Sequence, residues 1–289
     1  FAFYHPDALL LSSLVHDHVN VFPTMPDYEA PFARLVADLP AEALLVCANA
    51  FEPLRRLTRG RDVVWYGLDP CAGYHADNVE IGEVTTFDLV VPGGDRIPLR
   101  TQLLGLHNIE NIVGAAAFLL ERGDIDTGSL QRGVERFRGV ARRLDRKTTT
   151  SRVPVYEGFG SSYEKARSAI EAILLHFPGR PAVVVFEPHT FSWRNQAALG
   201  WYDTVFEGVS RVLLLPPPTH GSRDQLSASD ILQRIDSTGG DVVLVSGASG
   251  AIANLESSLS GDEVVLLLSS GPLDGLPARL PPILDRRFA

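Results

Sequence analysis

Four stretches of this 289-residue chain carry side chains suited to chemistry. In Ser12-Ser13-Leu14-Val15-His16-Asp17-His18, two histidines flank an aspartate. Such a group can ligate a divalent cation or orient a substrate, and Asp17 and His18 can equally serve to hydrogen-bond a loop. No further ligand follows at metal spacing, so no residue is assigned to a metal. His107-Asn108-Ile109-Glu110-Asn111 sets two amides three residues apart at an expected helix start, where both fall on one side. Paired amides can read the donor and acceptor edge of a purine; an ordinary N-cap with a polar first turn uses the same residues. Phe137-Arg138-Gly139-Val140-Ala141-Arg142-Arg143 is a basic cluster, suited to a phosphate or carboxylate ligand or to salt bridges at a domain junction. In Glu187-Pro188-His189-Thr190-Phe191-Ser192-Trp193-Arg194, the polar groups of His189, Ser192 and Arg194 crowd the end of an apolar strand, a place to hold an anionic substrate. Gly247-Ala248-Ser249-Gly250 reads as a tight strand-to-helix turn, because it lacks the Lys-Ser/Thr of a P-loop. No Gly-x-x-x-x-Gly-Lys-Ser/Thr occurs, so these 289 residues alone are expected not to hydrolyse ATP.

The elements that must position these groups follow from hydrophobic periodicity. In the second half, strands are expected at 153–159, 182–186, 211–215, 241–245 and 263–268, with helices at 162–176, 195–209, 228–236, 249–259 and 273–288 between and after them. That alternation predicts a parallel sheet with right-handed crossovers and helices on both faces, its ligands at the carboxyl ends of the strands. The first half predicts strands at 7–13, 43–48 and 62–67, a helix at 27–38, and an antiparallel meander over 76–102 turning on Pro92-Gly93-Gly94-Asp95. Helices at 109–121 and 129–137 follow. Polar Lys147-Thr148-Thr149-Thr150-Ser151 separates the halves, giving domains 1–145 and 146–289.

Composition bounds the rest. Lys plus Arg number 26 against 35 Asp plus Glu, a net charge of −9, which gives no overall drive toward nucleic acid or an anionic membrane. No apolar run reaches the roughly 18–20 residues that span a bilayer. Cys47 and Cys71 form no Cys-x-x-Cys pair and no disulfide framework, which makes a reducing cytoplasm the default expectation.

Taken in order, Leu14 to Phe22, His107 to Asn111, Phe137 to Arg143 and Phe186 to Ser192 resemble the Mur ligases, ATP-dependent amide-bond-forming enzymes of peptidoglycan synthesis. The likeness spans nearly the whole chain. It implies an α/β fold: the remainder of a central ATPase domain, then a Rossmann-like C-terminal domain with a mostly parallel sheet. The uridine domain and P-loop are then expected in a missing N-terminal part of the same protein. The likeness is strongest to the branch that recycles murein peptide, which implies UDP-N-acetylmuramate and L-alanyl-γ-D-glutamyl-meso-diaminopimelate as substrates and ATP and Mg as cofactors. By the same resemblance Asn108 and Asn111 contact adenine and Arg143 reaches the nucleotide. His18 stands by the acyl-phosphate chemistry, and His189 and Arg194 lie near the incoming peptide. Three departures stand out: Val15 where the family often has a magnesium-binding Glu, Gly158 in place of a ribose-binding carboxylate, and Ser161 in place of a histidine. Glu157 is a displaced substitute for that carboxylate, although a one-residue slip on a strand faces the other side of the sheet. Two other readings stay open. One is a catalytically degenerate homologue that serves as a ligand-binding or partner protein. The other is a folate-type polyglutamate synthase, against which His189-Thr190-Phe191-Ser192 argues.

Overall fold

A computed structural model describes residues 3–16, 21–218 and 225–289; Asp17 and His18 lie outside the described residues. The chain forms two compact units, Phe1–Gln102 with Leu106–Phe137, and Leu103–Gly105 with Arg138–Ala289.

The first unit is built on a six-stranded sheet in sequential order. Strands β1 (Ala8–Leu11), β2 (Leu44–Ala48), β3 (Val64–Gly67) and β4 (Tyr74–Glu80) run parallel, with α1 (Met25–Asp38) and α2 (Glu52–Leu57) in the crossovers. Thr24 and Asp27 start α1 as a reciprocal capping box, which satisfies first-turn N–H groups. The expected meander is present: β5 (Thr85–Val90) pairs antiparallel with β4, and β6 (Arg96–Thr101) pairs antiparallel with β5 to complete the sheet. Helix α3 (Leu106–Glu121) packs across β1 to β4, burying Ile109, Ile112, Val113, Ala116 and Ala117. Gly114 is the closest approach, because a Cβ there would lie 2.5 Å from the Tyr66 ring. Helix α4 (Thr127–Arg136), capped by Asp126, packs on β6. Cys47 is fully buried, and that burial pushes its thiol up to about 12, so it is a core side chain and not a nucleophile.

In the second unit the strands β7 (Asp145–Arg146), β8 (Val155–Gly158), β9 (Ala182–Phe186), β10 (Arg211–Leu214), β11 (Val242–Leu244) and β12 (Val264–Leu268) form a sheet in the order β11-β10-β9-β12-β8-β7. All pairs are parallel except β7 with β8. Both faces are covered, so the central strands are apolar throughout. Val184, Phe186, Leu214, Leu266 and Leu268 point to one core with α5 (Tyr163–His176) and α7 (Ala228–Ser237). Val183, Val185, Leu213, Val265 and Leu267 point to the other, with α8 (Gly247–Ser258), α9 (Leu276–Arg279) and α10 (Pro281–Arg287).

Two expected helices are broken. Where one helix is expected over 195–209, the chain forms a 3₁₀ segment, Gln196–Asp203, preceded by a single turn, α6 (Phe191–Arg194). Asn195 adopts an extended conformation between them, and its side chain accepts from Ala198 N–H, so it ends one segment and caps the next. The expected 273–288 helix is divided where Gly275 takes φ +75°, and again before Pro281.

Candidate active site

Three loops meet at the carboxyl edge of the second sheet because β8, β12 and β9 are neighbours there. Backbone hydrogen bonds stitch them together: Glu187 N–H to Leu268 O at 3.2 Å, Ser269 N–H to Gly158 O and Gly160 N–H to Ser269 O, both at 3.4 Å. Two interlocking side-chain clusters fill this edge.

The first centres on Glu187 and His189. Glu187 is only 9% exposed, and its Oε2 accepts from Ser269 Oγ at 2.9 Å and from Leu273 N–H at 3.2 Å. Its other oxygen, Oε1, lies 3.5 Å from His189 Nδ1. Gly271 closes the cluster; a Cβ there would overlap both the imidazole and the carboxylate. The second centres on Glu157, whose carboxylate meets Arg142 Nε at 3.3 Å and Lys147 Nζ at 3.1 Å. Burial pulls the Lys147 ammonium down, but hydrogen bonds and charge from Glu157 and Asp145 outweigh it and hold Lys147 above the usual lysine range. Arg142 joins the clusters, since its Nη2 donates to Gly271 O at 2.8 Å. Arg142 and Arg143 also place their guanidinium carbons 5.3 and 5.2 Å from the Phe159 ring centre, a cation–π pair of contacts. Arg142, Leu144, Leu273 and Asp274 all take positive φ without being glycine, and such strained backbone concentrates at functional sites.

The remaining expected substrate residues are placed differently. Ser192 is half-buried on the short α6. Arg194 is 5% exposed, and its guanidinium donates to Pro218 O at 3.1 Å, Gln225 Oε1 at 2.8 Å and Thr190 O at 3.3 Å. Its charge is therefore used to tie two chain segments, while His189 belongs to the Glu187 cluster. Trp193 anchors the same turn, its Nε1–H donating to Gly160 O at 2.8 Å.

In the first unit, α3 begins at Leu106, so Asn108 is the third residue of the helix and not its cap. Asn108 and Asn111 still share one side of the first two turns, with Asn108 half-buried and Asn111 exposed. The Asn111 amide makes no hydrogen bond among the described residues, which fits it for a base edge. Between them Glu110 is half-buried, and burial holds its carboxyl above the usual carboxylate range. His16, the described member of the His-x-His motif, is a structural group: its Nε2 lies 2.7 Å from Phe22 O and its ring packs on Tyr28. Val15 is 60% exposed and offers no oxygen. Among the described residues no group of three His, Cys, Asp or Glu side chains is placed to hold a metal ion. No helix among them is long and apolar enough to cross a membrane.

Residues 2–119 match the Mur ligase middle domain. A UDP-N-acetylmuramate–L-alanine ligase of Oleidesulfovibrio alaskensis is 30% identical over 200 residues, covering 68% of this chain and 44% of that protein. The chain belongs to the Mur ligase family. Its fold is that of the family's middle and C-terminal domains. The crystal structure of UDP-N-acetylmuramate–alanine ligase from Thermotoga maritima superposes with a TM-score of 0.74 at 18% identity, over 99% of this chain and 59% of that one. A murein peptide ligase from Psychrobacter arcticus superposes with a TM-score of 0.55 at 14% identity, over 98% of this chain and 58% of that one. This Mur ligase homologue thus spans about half the length of the curated relatives it matches. Strand order alone puts Glu187-Pro188-His189 and Ser269-Ser270-Gly271 at the carboxyl ends of one sheet; it does not give the bond between Ser269 and Glu187, because β12 reaches β9 from 82 residues away in the chain.

Proposed function

We propose that this chain is the later portion of an ATP-dependent ligase that joins the carboxylate of UDP-N-acetylmuramate to an amine through an acyl phosphate. The observation that carries this reading is that one chain holds both the paired asparagines on α3 and the Glu187–His189 cluster, on the two folds of the family. When bound, ATP supplies the phosphoryl group that turns a poor leaving group into a good one. Asn108 and Asn111 take the adenine edge, and Arg143 carries positive charge toward the nucleotide. Asp17 and His18 are assigned to the acyl-phosphate chemistry. His189 and Ser192 are assigned to the amine substrate directly, and Arg194 acts there by tying Pro218 to Gln225. The amine is the peptide L-alanyl-γ-D-glutamyl-meso-diaminopimelate in our reading. The name of the Oleidesulfovibrio relative makes L-alanine the competing choice.

The alternative is a homologue that has lost catalysis and keeps its binding surfaces. Val15, and Gly158 beside a Glu157 already paired to Arg142 and Lys147, favour it. Titration of nucleotide into the protein that carries this chain tests the adenine assignment. Asn111→Ala should weaken ATP binding by about 1–3 kcal/mol if the amide makes a buried base contact. Unchanged affinity would remove Asn111 from the nucleotide site.

A further inference from the structure

Arg142 and Arg143 are neighbours that the second unit uses in opposite ways. Arg142 faces inward: its Nη2 donates to Gly271 O at 2.8 Å and to Ser269 O at 3.4 Å, and its Nε lies 3.3 Å from Glu157 Oε1. Glu157 is 7% exposed, and a carboxylate taken out of water must be held by opposite charge. Lys147 Nζ meets its second oxygen at 3.1 Å, so both oxygens of Glu157 are engaged within the chain. Arg143 faces outward. It is exposed, its side chain makes no hydrogen bond or ion pair among the described residues, and its guanidinium carbon lies 5.2 Å from the centre of the Phe159 ring. The turn that sets the two apart is strained, with Arg142 at φ +65° and Leu144 at φ +58°, a left-handed backbone that side chains other than glycine rarely adopt. Such a turn persists only where its surroundings hold it. At one end the Arg142 N–H donates to Asp145 Oδ1 at 2.6 Å, and the guanidinium is tied to β8 and to the loop after β12. At the other, Leu144 is buried against β8, where Gly158 makes room: a Cβ there would lie 3.5 Å from Leu144 and 3.3 Å from Leu266 and Leu268.

We propose that Arg142 is a positioning residue: locked to Glu157 and to the carbonyls of Ser269 and Gly271, it holds the strained turn so that the Arg143 guanidinium stands ready on the Phe159 ring for a phosphate oxygen of the nucleotide. This rests on the reading that Arg143 meets the nucleotide. A guanidinium held over an aromatic ring keeps its N–H donors for a second partner, and a phosphate matches that fork. Glu157 serves the same end from the other side. Its charge is spent on Arg142 and Lys147, which makes it the anchor of the turn and not a ligand for a sugar hydroxyl. An arginine pre-set in this way loses less side-chain freedom when its anion arrives, and that saving appears as affinity.

The test has two arms, both on the complete protein that carries this chain. Proton–carbon NMR of arginine-labelled protein reads the Arg143 side-chain protons, which the Phe159 ring displaces from the positions of a free arginine; Arg142→Ala should return them toward those positions. Titration of each variant, well below its melting temperature, reads the consequence. Arg143→Ala should weaken ATP binding about 10- to 100-fold, as loss of a hydrogen bond to a charged group does, and leave adenosine within about twofold. Arg142→Ala should reproduce at least about threefold of that loss, with adenosine again unmoved, and should cost nothing more when added to Arg143→Ala. Arg142→Lys, which keeps a cation beside Glu157, should recover part of it. Glu157→Gln loosens the lock from its other end and should give the same pattern more weakly, so the test survives an Arg142→Ala that folds poorly. Arg143 protons that stay in place in both Arg142→Ala and Glu157→Gln overturn the proposal, as do ATP losses that multiply in the double variant. Protons that move while Arg143→Ala leaves ATP affinity intact overturn instead the placement of Arg143 at the nucleotide.

Discussion

Arg194 lies five residues beyond His189, and that spacing suggests two groups reaching for one anion. Their surroundings separate them. The short α6 ends at Arg194, and its guanidinium turns into a buried pocket of carbonyl oxygens from Thr190, Pro218 and Gln225. Removing it leaves those acceptors buried and unsatisfied, so Arg194→Ala should destabilise the second unit by about 1–3 kcal/mol. Denaturant unfolding followed by tryptophan fluorescence would read this, because Trp193 packs in the same turn. A variant as stable as the parent would mean that Arg194 is not holding these segments. At this scale the position of His189 was legible, since a polar group after a buried parallel strand sits where such sheets bind ligands. The partners of His189 and Arg194 were not legible, because both depend on contacts between distant parts of the chain.

Helices and strands were readable to within a few residues wherever one face was apolar, as in α5, α7 and the β9 run of Ala182–Phe186. Reading failed where local structure overrides periodicity: the helix expected over 195–209 is replaced by the 3₁₀ segment Gln196–Asp203, which Asn195 caps, and Gly275 and Pro281 divide another. The last piece, α10, matters to the edge of the sheet. Its Asp285 accepts from the consecutive N–H groups of Thr149, Thr150 and Ser151, the segment that leads into β8. Burial pulls the Asp285 carboxyl up, but those N–H groups outweigh it and hold it below the usual carboxylate range. With the folded value depressed, the stabilisation is present in full above the unfolded value near 3.9 and is lost as pH falls through the folded one. Asp285→Asn should therefore lower Tm at pH 7, and the gap from the parent should shrink as the pH is taken below about 4. A gap that stays constant between pH 7 and pH 3 would show that the charge of Asp285 contributes nothing.

At the scale of the molecule, each unit is a complete layered α/β body with its own sheet and its own set of candidate ligand groups. The asparagine pair on α3 lies in the first unit and the Glu187–His189 cluster in the second. In the proposed reaction the acyl phosphate and the amine must be brought together with water excluded. Strand–helix alternation and the order of four motifs were enough to read this architecture. They did not reveal whether Val15 and Gly158 leave the chemistry intact, because catalysis depends on placed oxygen atoms and not on the fold. The deciding measurement is amide formation by the complete protein that carries this chain, supplied with ATP, UDP-N-acetylmuramate and either the murein tripeptide or L-alanine. The account predicts one amide product and one phosphate released per ATP consumed, with all three substrates required. A folded protein that binds nucleotide yet forms no amide with either amine would contradict it.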